Sequence, residues 1–258
     1  MLFLSGLRRK RLREQPPPPE WVGILEQNVP LWSLLSDDDQ IELLRHMLVF
    51  MDEKSFEGQG GMVIGDEVRV TVAGQACLLL LHRDTDYFPG LSSIIVYPGE
   101  YKAKRQDMDE FGIVTEGIER RTGESWDGGS LVLSWEDVLS SGVDDYGAFN
   151  VVIHEFAHLL DREDGITTDQ PLLARRSLHR IWLRSMEEEF ERLQRAEERG
   201  EQGVLDHYGV ESPAEFFAVA VEAFFEAPLA LLEQHPDLYH ELSNYFRQNP
   251  AEWPGNIQ

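Results

Sequence analysis

Apolar positions along this chain change their spacing several times, and each change marks an element. Ser36 precedes Asp37-Asp38-Asp39 and then Ile41, Leu43, Leu44, Met47, Leu48 and Phe50, which predicts a serine-capped helix with an acidic first turn and one apolar stripe. Gly58, Gly60 and Gly61 end that unit in a loop. From Asp66 to about Arg83 the apolar residues become almost continuous. The length of the run, with Ala73-Gly74-Gln75-Ala76 at its centre, predicts a buried helix rather than a strand. Ser93 to Tyr97, closed by Pro98, predicts a short central strand. Weak alternation between Tyr101 and Gly129 predicts hairpin strands near Ile113 to Arg120, broken by Gly123; Ser130 to Trp135 predicts a firmer strand, with a short helix from Glu136 to Leu139 after it.

The second half of the chain reads as helical. One helix is expected from about Gly147 to Leu160, and a long amphipathic one from about Leu172 to Arg199, basic in its first half and acidic in its second. Ser212-Pro213 supplies a cap and a proline at the first helical position for a helix reaching about Glu226, which Pro228 stops. Two short helices follow. At the other end, the basic run Arg8 to Arg13 and the stiff spacer Pro16 to Pro19 predict a flexible arm over residues 1–20.

Composition narrows the field. The formal net charge of −24 would repel a phosphate backbone from most of the surface, so no direct nucleic-acid partner is expected. The single cysteine, Cys77, lies in an apolar stretch and fits a reduced, cytoplasmic protein. The N-terminal apolar run is too short for a signal sequence and its basic cluster follows rather than precedes it, so neither export nor a membrane span is expected.

The chemistry sits in His154-Glu155-Phe156-Ala157-His158, preceded by Val151-Val152-Ile153. Two imidazoles at i and i+4 project from one helix face about one turn apart, so both reach a single ion while Glu155 faces the same cleft as a base. The string arises by chance in roughly 3 of 100 chains of this length and composition, so its context must support it.

A catalytic zinc needs a third protein ligand and an open position. Asp164 stands where an extended His-Glu-x-x-His-x-x-Gly-x-x-His motif carries its last ligand, but the turn-forming glycine is replaced by Asp161. Glu215 and Glu222 lie two turns apart on one face of the downstream helix, in the otherwise apolar Phe216-Phe217-Ala218-Val219-Ala220-Val221 setting. A carboxylate there is costly to bury without a cation. Glu215 is the favoured ligand and Glu222 a hydrogen-bond acceptor for a ligating imidazole.

With these residues on the page, the chain resembles the Mlc titration factor A family of zinc-dependent peptidases, gluzincins similar to the catalytic domain of anthrax lethal factor. The matching stretches are Ala73 to Leu81, Ile94 to Pro98, Leu133-Ser134-Trp135, His154 to Asp161, and Pro213 to Val219. The resemblance implies that Glu215, in Pro-Ala-Glu, is the third ligand and that Tyr208, seven residues upstream, is a functional tyrosine. It also implies binding to a transcriptional repressor that controls sugar uptake.

The expected fold is α+β and zincin-like: a small mixed sheet, an active-site helix crossing beneath its edge, and a helical C-terminal half that supplies Glu215, all in one catalytic domain over residues 21–258. The expected function is a zinc metallopeptidase, aminopeptidase-like or of narrow specificity, acting on a peptide or protein substrate. One Zn2+ held by His154, His158 and Glu215 would acidify a water and polarise a peptide carbonyl. Glu155 would take the proton and pass it to the leaving amine, and Tyr208 would donate to the oxyanion. Asp161 is a candidate to orient an imidazole, Trp126 and Trp135 to line the cleft, and Ser130 to Trp135 to pair with an extended substrate. The alternatives are a regulatory binding protein that sequesters the repressor with little proteolysis, and a zinc hydrolase acting on a non-peptide amide.

Overall fold

The structure, a computed structural model, describes residues 2–99, 101–108, 114–121, 123–126, 129–144, 147–164 and 176–256. The chain begins with helices α1 (Leu2–Arg13), α2 (Glu20–Asn28) and α3 (Asp37–Glu53), then strand β1 (Ser55–Gly58), helix α4 (Asp66–Leu78) and strand β2 (Ser93–Tyr97). Strands β3 (Tyr101–Met108), β4 (Val114–Arg121), β5 (Gly123–Trp126) and β6 (Ser130–Ser134) follow. Helix α5 (Trp135–Leu139) and the short strands β7 (Gly142–Asp144) and β8 (Gly147–Phe149) lead into α6 (Val151–Asp164). The remainder is helical: α7 (Arg176–Glu198), a 3-10 turn at His207–Val210, α8 (Pro213–Glu226), α9 (Pro228–Gln234) and α10 (Pro236–Phe246).

The fold is mixed α+β, mostly helical around a small sheet of order β1-β2-β6-β5. The first three strands are parallel and β5 runs antiparallel to β6, with Trp126 opposite Ser130 and Gly123 opposite Leu133. Leu131, Val132 and Leu133 of β6 are all buried, so that strand is covered on both faces, whereas β2 buries Ile94 and Val96 and leaves the alternate positions half-buried. Strands β3 and β4 form a separate antiparallel hairpin, as the weak pattern around Ile113 to Arg120 suggested; Ile113 itself lies outside the described residues.

Helix α4 is the central helix of the core. Every residue from Val70 to Leu81 is buried, Cys77 included, and burial pushes that thiol well above its ordinary pKa. A Cβ at Gly74 would come within 2.5 Å of Leu25 Cδ2, so the glycine lets α2 and α4 pack closely. Helix α3 starts as its pattern dictates, with the Ser36 side chain accepting from the Asp39 N–H at 3.2 Å. Helix α6 packs against α4, α8 and the edge strand β5.

Three expectations need correction. A flexible arm is expected over residues 1–20, yet Leu2–Arg13 is helical and docked on α3: Arg8 pairs with Asp52 at 2.8 Å, and Arg9 with Glu53 at 2.7 Å and Asp86 at 2.9 Å. The basic run therefore has acidic counterparts that composition alone does not reveal. The helix expected from Gly147 begins four residues later, because Gly147–Phe149 pairs with β7 and Asn150 caps the helix, its Oδ1 accepting from the Ile153 N–H at 3.0 Å. Finally, β6 is not an edge. Its backbone is paired with β2 on one side and β5 on the other, so Ser130 to Trp135 cannot take a substrate strand; β5 ends the sheet.

Candidate metal centre

Two helices meet to build the site. Helix α6 projects His154 and His158 one turn apart, ring centroids 4.8 Å from each other and edge to face. Helix α8 is capped by Ser212, whose Oγ accepts from the Glu215 N–H at 3.1 Å, and Pro213 occupies its first turn. That start places Glu215 against the two imidazoles. Its Oε2 lies 3.0 Å from His154 Nε2 and 3.3 Å from His158 Nε2, and the two Nε2 atoms are 3.1 Å apart.

These separations fit a bound cation. A tetrahedral ion with ligand bonds of about 2.0–2.1 Å sets its donors about 3.3 Å apart. Tautomer chemistry points the same way. His154 Nδ1 lies 2.7 Å from Glu222 Oε1, an acceptor, so Nδ1 carries a hydrogen; in the neutral tautomer that a metal would require, the Nε2 lone pair faces His158 and Glu215. Lone pairs and a carboxylate aimed at one point repel unless positive charge lies between them. Burial opposes charge on His154, but the Glu215 and Glu222 carboxylates overcome it and raise its pKa to about 10. Glu215 shows the converse: burial works against its charge, and hydrogen bonds to His154 and His158 still hold it at about 2. Both shifts show that positive charge is favoured at this point. The three side chains remain 14–22% exposed, which leaves the donors reachable from solvent.

A second layer of contacts holds the two helices in register. Glu222 is buried; besides His154 it accepts the Asn150 backbone N–H at 2.6 Å through Oε2. The Asn150 side-chain amide donates to Glu226 Oε1 at 2.7 Å. Asn150 thus caps α6 and grips two carboxylates of α8 at once. Burial raises the Glu222 pKa despite these partners, and raises that of Glu226 to about 7 against the Asn150 hydrogen bond, with Glu222 repelling it further.

The remaining sequence candidates fall into place as follows. Glu155 is buried on α6 between the two histidines. The ring centroid of Tyr208 lies 6.0 Å from that of His154, and the phenol is 48% exposed at the rim. Its turn is fixed by Asp206, whose Oδ1 accepts the Tyr208 N–H at 2.7 Å, and by Gly209, where a Cβ would come 3.0 Å from Leu193 Cδ2. Asp161 is buried on α6, while Trp135 is half-buried at the start of α5. The side chains of Asp164 and Trp126 lie outside the described residues. Among the described residues, a second group of possible donors, Asp39, Glu42 and His82, lies on α3 and the loop after α4. Sequence reasoning missed Asn150. An asparagine just before an apolar helical run signals a cap, but its grip on Glu222 and Glu226 spans more than seventy residues and leaves no local trace.

A histidine pair and a glutamate converging from two helices beside a small mixed sheet are the arrangement of a metallopeptidase-type protein. The chain belongs to the family described as glucose-regulated metallo-peptidase M90, whose model matches residues 4–247. That match takes in most of the N-terminal helix and so extends beyond the stretches that carried the resemblance. Among its relatives, an uncharacterized protein of Synechocystis, slr2042, is 35% identical over 244 residues, covering 94% of this chain and 89% of the relative. Proteins named Mlc titration factor A from Pectobacterium atrosepticum and Serratia proteamaculans are 33% and 32% identical, covering 89% and 90% of this chain and 88% and 87% of their own lengths. Membership implies a metal cofactor. No described helix is long and apolar enough to cross a membrane.

Proposed function

We propose that this chain is a zinc-dependent peptidase in which His154, His158 and Glu215 hold one Zn2+. The observation that carries the reading is the meeting of three donor atoms within 3.3 Å of one another, from helices 61 residues apart in sequence. Zinc suits two imidazoles and a carboxylate with an open position, and supplies there a Lewis acid that acidifies water and polarises a carbonyl. Glu155, buried between the ligands, accepts a proton from the attacking water and delivers it to the departing amine. Tyr208, at the rim beside His154, donates its phenolic hydrogen to the oxygen on which negative charge develops. Glu222 and Asn150 are positioning residues: they fix the His154 tautomer and the approach of α8. An extended peptide would pair with the backbone of β5, the strand that ends the sheet beside α6. Open access to the donors suits an aminopeptidase-like or narrow-specificity enzyme working in the cytoplasm.

The relatives' name, Mlc titration factor A, favours a second reading, in which the chain binds and titrates a regulatory partner; the family resemblance implies that this partner is a transcriptional repressor controlling sugar uptake. The two readings separate on Glu155→Gln. Peptide hydrolysis should fall by at least about 1,000-fold while zinc content and repressor binding persist. A Glu155→Gln protein that cleaves reporter peptides at the parental rate would remove the base from the scheme.

A further inference from the structure

Lined by none of the donor residues, a cleft of about 1020 Å³ lies between α1, the Pro16-Pro17 segment, α3 and the loop after α4. Five of its fifteen lining residues are cationic: Arg9, Lys10, Arg13, Arg45 and Arg83. This is about four times the density of basic residues in the whole chain, in a protein whose net charge is −24. Only Glu14 and Asp84 among the lining residues are acidic. Arg9 is committed to Glu53 and Asp86, and the Arg83 guanidinium stacks 4.3 Å from the Tyr245 ring centroid. Lys10, Arg13 and Arg45 are exposed and have no ion-pair partner among the described residues, so their charge is directed into the cleft without neutralisation.

The wall formed by residues 82–88 is an independent observation. His82, Tyr87 and Phe88 have φ of +60°, +58° and +54°, a left-handed conformation that bulky residues rarely adopt. Such geometry persists only where surrounding contacts over-determine it, and it gathers at ligand clamps. Here the contacts are explicit. His82 is held by Asp39 and Glu42 at 3.0 and 3.1 Å, and the Tyr87 hydroxyl by His46 at 3.0 Å. The Phe88 carbonyl accepts from buried Lys54 Nζ at 2.7 Å. These contacts pin the ends of the loop, whose Arg83, Asp84, Thr85 and Tyr87 line the cleft alongside Lys10, Arg13 and Arg45.

We propose that this cleft binds a small phosphorylated anion. Guanidinium groups match phosphate oxygens with paired donors, the exposed Ile41 side chain lining the cleft offers an apolar face for the rest of the molecule, and the volume suits a metabolite-sized ligand rather than an extended chain. The zinc centre shares no lining residue with it, so the two sites are separate in test as well as in space.

The full-length protein, titrated by calorimetry at a fixed ionic strength of about 0.15 M, provides the test. Inorganic tripolyphosphate and a hexose bisphosphate serve as probes. At least one should bind saturably with 1:1 stoichiometry, while sulfate at equal ionic strength should not. The double variant Arg13→Gln, Arg45→Gln should weaken that binding at least about tenfold without lowering the melting temperature. The control Arg184→Gln, Arg195→Gln, on the exposed face of α7, should leave it unchanged. Absence of saturable binding by both probes, equal binding by the cleft and control variants, or binding only to anionic vesicles would each overturn the proposal.

Discussion

Replacing Glu222 by glutamine tests whether the site is tuned from behind. Glu222 uses both oxygens on donors: Oε1 faces the His154 Nδ1–H at 2.7 Å, and Oε2 accepts the Asn150 N–H at 2.6 Å. A glutamine presents one oxygen and one amide, so one of the two donors must face another donor. The lost charge-assisted bond is worth about 1.5–3 kcal/mol. Removal of a carboxylate behind a ligating imidazole typically weakens metal binding about 10- to 100-fold, or about 1.4–2.8 kcal/mol, so the two routes to the magnitude agree. The metal-free protein should respond differently. There the carboxylate is buried at a cost that already raises its pKa, and replacing it with a neutral amide relieves that cost while it breaks the bond. A chelator competition titration should therefore show weaker zinc binding by Glu222→Gln, while thermal unfolding of the metal-free forms shifts little. Zinc affinity within twofold of the parent would refute the positioning role. An equal loss in the metal-free protein would reassign Glu222 to structure alone.

Glu215→Ala should lose stoichiometric zinc in elemental analysis, because it removes the donor shared by both imidazoles; retention of one equivalent would exclude Glu215 as ligand. Tyr208→Phe should lower kcat about 100-fold with little change in KM, since its hydroxyl is assigned to the developing oxyanion; a change confined to KM would point to substrate binding instead. Glu226 gives a pH prediction. Its folded pKa, about 7, lies above the ordinary value of 4.5, so the folded state binds the proton more tightly than the unfolded one. Its stabilising contribution is complete below pH 4.5 and is lost as pH rises through 7, by at most about 3 kcal/mol. Denaturant unfolding between pH 5 and 8 should show this decline in the parent and a flatter profile in Glu226→Gln.

The features legible in sequence are those encoded locally. The Ser36 and Ser212 caps, the buried run of α4, the strands Ser93–Tyr97 and Ser130–Ser134, and the spacing of His154 and His158 all follow from short-range pattern. Glu215 was reachable because a carboxylate in an apolar helix demands an explanation. What escaped depends on pairing between distant segments. Whether Ser130–Ser134 lies at the edge is decided by where β5 attaches, and a chain's own alternation carries no record of its neighbours. The basic N-terminal run looked like a solvated tail because Asp52, Glu53 and Asp86, which receive its arginines, are scattered through later elements. Asn150 is a local cap and a tertiary clamp at once, and only the first role can be read from its sequence position.

The 61-residue gap between the histidine pair and Glu215 has a consequence for biosynthesis. A chain emerging from the ribosome exposes its imidazoles long before the glutamate exists, so the nascent polypeptide has no complete cage and cannot attack its neighbours. On the proposed zinc-peptidase reading, hydrolytic competence would arrive only once α8 has docked, so a helix made well after the imidazoles would act as the safety catch.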